Sequence, residues 1–590
     1  MPFEGIAKGA ESVVRRIRIG QLGSVLDLPF NLKVLIEAGV VKPIAPAKLV
    51  AVGTTLRRWG ASPAAGIAAS AIQRPDSIGL IDDAGELTFA EIESRSNSLA
   101  RALREQGVKG GESVAVMCRN HRGFVDALFA CSKLGATVLL MNTDFAGPQL
   151  HGVIEREQPQ AIIYDSEFQG LLDGAEEDAP KISRFVSWVE EGDEPTEMTT
   201  EDAIAETSDD PLDPPDEASR FIILTSGTTG TPKGAQRDSP TSLAPLAVLL
   251  SRIPLRSEGR TVIATPMFHS WGFMHFTLGL ALGSTYVLRR KFDPEKTLAA
   301  VEENEADALI VVPVMLQRIM ELDEDVRSGY ELPSLRVTAA SGSALPGDLA
   351  INWMDSFGDN LYNLYGSTEV AWASIATPED MREAPGTSGQ VPHGTIVKLL
   401  DDDENEVADG ETGRIFVGNE MAFSGYTGGG GKDVVDGLLS SGDVGHFDEA
   451  GRLFIDGRDD EMIVSGGENV FPREVEDVLS NHSAIDEAAV IGVDDEKFGQ
   501  RLKAFVVLSK GKDLDSDGVK SHVKDNLARY KVPREVEFMD ELPRNPTGKV
   551  LKRELVEREE GDDSGAGDAD DSSSGKKKSK SSKKKASAKS

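Results

Sequence analysis

Cysteine is almost missing: two in 590 residues, Cys118 and Cys131. That excludes a disulfide-stapled scaffold and any zinc site built from cysteines. It fits a reducing, cytoplasmic setting in which both are small core residues. No apolar run is long enough to span a bilayer. The N-terminus lacks the compact apolar core and cleavage site of a signal peptide. Positive charge is scarce too: Lys+Arg total 63 against 98 Asp+Glu, a formal net charge of −35. Such a field repels nucleic-acid backbones and argues against nucleic acid as a partner. Eight of the 29 lysines sit in the last fifteen residues, and without them the body stands at −43. A Lys-poor, acid-rich surface is one used by halophiles, where salt screens the self-repulsion.

What is there has a globular balance, 39% hydrophobic and 27% charged, on a chain long enough for two or more domains. The first sixty residues reverse the charge, with nine bases against four acids and the apolar stretches Val34-Leu35-Ile36 and Leu49-Val50-Ala51-Val52. We expect residues 1–60 either to touch an anionic membrane peripherally or to pack on the acidic body.

Residues 1–70 read as an N-terminal extension. From Leu87 the pattern is α/β. A helix over Glu91–Glu105 stops at Gly107, and a β run covers Ser113–Cys118. Helical spacing of Phe124, Leu128, Cys131 and Leu134 ends at Gly135, and a strand follows at Thr137–Met141. Strand, helix, strand at this length is a parallel crossover. Residues 199–218 hold eight acids, no base and three prolines, and read as a solvated loop. Further strands at Phe221–Leu224, Thr261–Ala264, Thr285–Leu288, Ala308–Val312, Arg336–Ala339 and Leu361–Leu364 mostly precede Gly, Ser or Pro loops, where parallel sheets bind ligands. After Gly389 short β runs suggest a small antiparallel sheet or barrel. The composition breaks near Gly457–Asp460. We therefore expect a large domain over 71–459, a compact α+β domain over 460–558, and a disordered tail over 559–590, acidic and then Lys/Ser-rich.

The strongest local signal is Leu224-Thr225-Ser226-Gly227-Thr228-Thr229-Gly230-Thr231-Pro232-Lys233-Gly234, directly after an apolar strand. Glycines let backbone N–H groups approach phosphate oxygens, hydroxyls add donors, and Lys233 supplies a point charge. It is not a Walker A loop, because Pro232 precedes the lysine and Gly234 follows it.

This segment resembles the phosphate-binding signature of the adenylate-forming superfamily, which includes acyl-CoA synthetases, and the likeness runs from about Pro75 to Arg553. Further motifs match in order: Gly342-Ser343-Ala344, Tyr365-Gly366-Ser367-Thr368-Glu369, Ser441-Gly442-Asp443, Gly457-Arg458-Asp459-Asp460 and Pro543-Arg544-Asn545-Pro546-Thr547-Gly548-Lys549. The resemblance implies an α/β fold: parallel sheets plus a small β-barrel in a large domain, and a smaller mobile α+β domain. It implies ATP, Mg²⁺ and CoA. It implies that Thr225, Ser226, Gly227, Thr228, Thr229, Gly230 and Lys233 hold phosphates and that Thr368 contacts the α-phosphate. Gly342, Ser343, Ala344, Tyr365 and Gly366 would enclose adenine, with Asn363 on its amino group. Asp443 and Arg458 would hold ribose, and Glu369 the metal. Lys549 would be the catalytic lysine, Asp460 the hinge, and Gly466 and Gly467 the lining of the CoA channel.

The implied chemistry has two steps. A carboxylate attacks the α-phosphorus of ATP and pyrophosphate leaves; the thiol of CoA then attacks the acyl-adenylate. Both steps depend on positioning and charge neutralisation. In Pro266-Met267-Phe268-His269-Ser270-Trp271-Gly272-Phe273, the resemblance puts His269 near the substrate carboxylate; Trp271 and Phe273 are candidates for an aromatic gate over an acyl tunnel, and Trp271 reads equally as plain core. Val312 would add apolar wall, and Gly366 would leave the tunnel floor open. The stretch Met462–Pro472 looks most like fatty-acid CoA ligases, so a medium- or long-chain fatty acid is expected first and an aryl carboxylate second. The rivals are an acyl-AMP ligase that loads a carrier protein and, with less support, a non-catalytic nucleotide-binding scaffold.

Overall fold

The computed structural model describes residues 27–172, 182–225, 233–237, 242–421, 423–427, 429, 431–461, 463–465, 468–495, 499–527, 529–545 and 548–563. Three sheets organise them. The first contains six parallel strands in the order Ile78–Asp82, Thr285–Leu288, Arg260–Ile263, Ala308–Val311, Val337–Ala340 and Leu361–Tyr365. The second has five, Phe221–Thr225, Thr137–Leu140, Ser113–Met117, Ala161–Tyr164 and Ser183–Val186. Their Val, Ile and Leu runs are buried on both faces, as a covered parallel sheet requires. The crossover is present as helix Arg122–Leu134, closed by Gly135 at φ 72°. It is buried from Gly123 to Leu134 and carries Cys131. Both cysteines are free and buried, and burial pushes the Cys131 thiol up to about 12.

Three expectations change. Residues 199–218 are not all loop, because Thr200–Glu206 is a helix. Thr199 caps it by accepting the Asp202 N–H, and Glu201 in its first turn pairs with Arg95 at 2.6 Å. Acids gathered at a helix N-terminus are stabilised there, so the charge run marks a helix start rather than a wholly solvated stretch. Second, the antiparallel strands after Gly389 continue the first sheet. Ser374–Ala376 and Gly389–Gln390 connect Leu361–Tyr365 to Arg452–Arg458, Leu438–Phe447, Gly413–Gly418 and Ile396–Leu400. Third, the extension is not set apart. Helix Leu28–Glu37 buries Val34 and Leu35 in the main core, and residue 70 falls inside helix Pro63–Gln73. That helix is rich in alanine, and a Cβ on Gly66 would lie 3.2 Å from Leu280 of the neighbouring helix Ser270–Leu282.

The small domain's five-stranded sheet begins at Ile463, just after the 3₁₀ turn Asp459–Glu461. Its strands Ile485–Asp495, Gly499–Leu508 and Glu535–Met539 pack on helices Pro472–Ser480 and Ser516–Asn526 around Val490, Val506, Val475 and Val519. The last helix, Lys552–Asp563, runs past residue 558. The expected disordered tail lies outside the described residues after Asp563. Among the described residues, no helix is long and apolar enough to cross a membrane.

Candidate active site

The carboxyl ends of the parallel strands open onto a cavity of about 2170 Å³ that reaches into the cleft between the domains. Strand Val337–Ala340 runs out into Gly342, Ser343 and Ala344, with Gly342 at φ 97°, and all three line the cavity. Strand Leu361–Tyr365 brings Asn363 and Tyr365 beside them. Asn363 is buried, and its Oδ1 has no hydrogen-bond partner among the described residues. An unpaired buried acceptor is costly unless a ligand donates to it, as an adenine amino group would. The Tyr365 hydroxyl donates to Asp443 Oδ2 at 2.6 Å and accepts from the Ser441 hydroxyl at 3.1 Å. Burial and the neighbouring Asp443 hold this phenol far above its usual range.

Asp443 and Arg458 face each other as register partners on adjacent strands, with Arg458 Nε 3.7 Å from Asp443 Oδ1. Burial raises the Asp443 carboxyl, and this outweighs the opposing pull of Tyr365, Arg458, Lys549 and Lys432. Lys432 went unnoticed in the sequence. It follows a glycine run, and its Nζ would stand 3.3 Å from a Cβ placed on Gly442.

Thr225 and Lys233 are antiparallel register partners, so the expected phosphate-binding segment lies between two paired strands. Ser226, Gly227, Thr228, Thr229 and Gly230 lie outside the described residues, as do Gly466 and Gly467. The Lys233 ammonium stands 5.6 Å from the centre of the Tyr426 ring, and the Tyr426 hydroxyl donates to Glu369 Oε1 at 2.6 Å. Ser367 Oγ donates to Glu369 Oε2 at 2.9 Å and accepts the Glu369 N–H. Two neutral donors thus aim the carboxylate, and each oxygen keeps acceptor capacity for a hard cation such as Mg²⁺. Thr368 lines the same cavity. Tyr426 was missed because nothing local links it to Glu369, 57 residues away.

Lys549 reaches this site from the small domain, close enough for its charge to act on Asp443. Its N–H donates to Asn545 Oδ1 at 2.8 Å, and Gly548 before it sits at φ 77°. Gly548 rests against the large domain, where a Cβ would lie 2.1 Å from Val314 Cγ1. Lys552 pairs with Glu461 at 3.0 Å and Glu476 at 2.9 Å, tying the last helix to the turn that contains Asp460. Lys549 thus lines the same cavity as Asp443 and Arg458.

His269, expected at the substrate carboxylate, is the residue before helix Ser270–Leu282. Its Nε2 has no partner among the described residues, and burial lowers its pKa to about 4, so the ring is neutral. Trp271 is not free to gate. Its Nε1 donates to Val311 O at 2.9 Å, and the ring packs edge-on against His275 at 4.2 Å, which makes it a tethered wall. Phe273 is half-buried, pairs with Phe221 at 5.1 Å and lines the cavity with Val312. The expected reason for Gly366 fails. A Cβ there would lie 2.1 Å from the Ala371 carbonyl oxygen, so the glycine serves a close backbone approach and does not hold a tunnel floor open.

The family model described as AMP-binding enzyme matches residues 67–427, and that of the AMP-binding enzyme C-terminal domain matches 474–549. Similar proteins include the indoleacetate–CoA ligase of Aromatoleum aromaticum, 34% identical over 80% of this chain and 94% of that one. The feruloyl-CoA synthase of an Amycolatopsis species is 33% identical over the same shares. Among solved structures, the anthranilate CoA ligase AuaEII in complex with anthranoyl-AMP aligns with a TM-score of 0.78 at 25% identity, covering 85% of this chain and 98% of that one. The chain belongs to the AMP-binding enzyme family. It is an AMP-forming ligase, of a class that uses ATP with Mg²⁺ and CoA.

Proposed function

We propose that this ligase joins CoA to a carboxylic acid with an elongated apolar body, a medium- or long-chain fatty acid first. The carrying observation is the course of the cavity. It follows helix Ser270–Leu282 from His269 through Phe273, Met274, Thr277 and Leu278 to Ala281. At 1.5 Å per residue that is about 18 Å of wall. Leu246, Leu249 and Phe221 face it and add further apolar surface. In this reading His269 binds the acid's carboxylate as a neutral donor, Glu369 holds Mg²⁺, and Thr368 and Lys549 stabilise the α-phosphate as pyrophosphate leaves. Asp443 and Arg458 fix the ribose, and the small domain turns about Asp460 to admit CoA past Gly466 and Gly467. The Mg²⁺ supplies charge neutralisation on the phosphates. An aryl or arylalkanoic acid is the second reading, favoured by the substrates that the similar ligases' names carry.

The test is pyrophosphate and AMP release with octanoate, laurate, palmitate, indoleacetate, ferulate and benzoate, with CoA present and in buffers up to molar salt. The expected result is the highest kcat/KM with laurate or palmitate. A preference for indoleacetate or ferulate by tenfold or more selects the second reading. Pyrophosphate release without thioester points to a carrier-protein acceptor.

A lipid surface is the matching source of such an acid. Seven of the fourteen exposed large hydrophobic residues among the described ones fall between Leu28 and Leu56. Helix Pro46–Trp59 buries no residue, holds no acid and ends in Arg57 and Arg58. Lys42 and Arg58 pair with Glu258 and Asp213 of the body, so apolar contact carries this reading more than charge does. Full-length enzyme should float with anionic phospholipid vesicles, and Leu49→Glu with Val50→Glu should leave it in the soluble fraction with octanoate activity unchanged. Equal flotation of both proteins excludes this surface.

A further inference from the structure

We infer that Asn120 is a positioning residue for adenylation, a buried bracket that sets the backbone carrying His269. This rests on the assignment of His269 to the substrate carboxylate. Asn120 follows strand Ser113–Met117 of the second sheet and is 4% exposed. Its Nδ2 donates to Ile263 O at 3.2 Å and to Thr265 O at 2.8 Å, and its Oδ1 accepts the Met267 N–H at 2.9 Å. Both amide hydrogens and the amide oxygen are therefore used on one segment, more than 140 residues away in the chain. Ile263 ends a strand of the first sheet, so this one side chain joins the carboxyl ends of two sheets beside the cavity.

The bracket is itself rigid. Asp165 accepts the Arg119 N–H at 2.9 Å and contacts His121 Nε2 at 2.8 Å. His121 Nδ1 accepts the Gly123 N–H, and Arg122 is clamped by the buried Asp82 at 2.6 Å. A Cβ on Gly123 would overlap Ser187 Oγ at 1.9 Å, so the loop has no slack there. Cys118, His121 and Asp165 lie close enough to suggest a metal site, but both His121 nitrogens are engaged and all three residues are buried. Their arrangement is better explained as the anchor of this loop.

The other end needs such a device. The His269 Nε2 has no partner among the described residues, so no hydrogen bond from that nitrogen aims the ring before substrate arrives. The His269 ring packs against that of Phe268 at 4.4 Å, on the same loop. The backbone from Thr265 to His269 therefore decides where the imidazole points. It is fixed by Asn120 on one side and by the His269 N–H to Pro266 O turn, at 3.2 Å, on the other. A shift of about 1 Å in a reacting group costs on the order of a hundredfold in rate.

The experiment is a double-mutant cycle on pyrophosphate release, with Asn120→Asp, His269→Ala and the double variant, using the most active acid of the panel. Asn120→Asp keeps the shape and one acceptor but removes both donors to Ile263 O and Thr265 O. The expected result is a kcat/KM for the acid about a hundredfold lower, with the KM for ATP within twofold of the original. In the His269→Ala background the same change should cost less than threefold. Original kcat/KM in Asn120→Asp, or an undiminished loss in the His269→Ala background, overturns the proposal. A fully active His269→Ala enzyme instead removes the His269 assignment on which it rests. Should Asn120→Asp not fold, amide hydrogen exchange on the unaltered enzyme decides. Held by Asn120 Oδ1, the Met267 N–H should exchange as slowly as the strand Arg260–Ile263, and exchange at open-loop rates overturns the bracket.

Discussion

Lys549→Ala should lower acyl-adenylate formation by about a hundred- to a thousandfold, the cost of removing one preorganised charge from a transition state. The small domain brings the lysine to the cavity that Asp443 and Arg458 line, where its charge acts on Asp443. Thioester formation from supplied acyl-adenylate and CoA should stay within a few-fold of the unaltered enzyme, as expected of a group that serves only the first step. Pyrophosphate release measures the first half-reaction and thioester formation the second. Equal loss in both would mean that the lysine serves the fold or the whole site and not the first step.

Gly548→Ala should damage the same half-reaction through sterics alone. Ala at φ 77° costs on the order of 1–2 kcal/mol by itself. The larger effect is between domains, because the new methyl would lie 2.1 Å from Val314 Cγ1 and 2.8 Å from Val314 Cβ. The docked arrangement then cannot close, and adenylation should fall about a hundredfold while the thioester step is spared. Val314→Gly removes the opposing atoms and should restore at least tenfold of the loss in the double variant. No recovery would show that backbone strain, and not domain docking, explains the defect.

Local features were legible in the sequence where their signal was local. Gly135 and the apolar spacing before it gave the crossover helix, and the apolar run Phe221–Leu224 gave the strand that precedes the Gly/Thr segment. What could not be read depends on contacts across long separations. Asn120 looks like any loop asparagine until the first sheet is beside it, and Tyr426 gains meaning only against Glu369. Gly366 was misjudged for the same reason. Its missing side chain faces the Ala371 backbone, which the sequence cannot orient. Trp271 reads as a gate only while its Nε1 partner, the Val311 carbonyl, is unknown.

The two buried thiols have a practical consequence. Cys118 and Cys131 are both free, shielded from solvent and pushed up in pKa by burial, so neither offers the accessible thiolate that alkylating dyes attack. The native chain is therefore already a blank background for site-directed labelling. One cysteine placed at the exposed Asp402 of the large domain and another at the exposed Asp517 of the small one would carry a fluorophore pair across the cleft. Energy transfer between them would report directly whether the small domain moves as acid, ATP and CoA are added in turn.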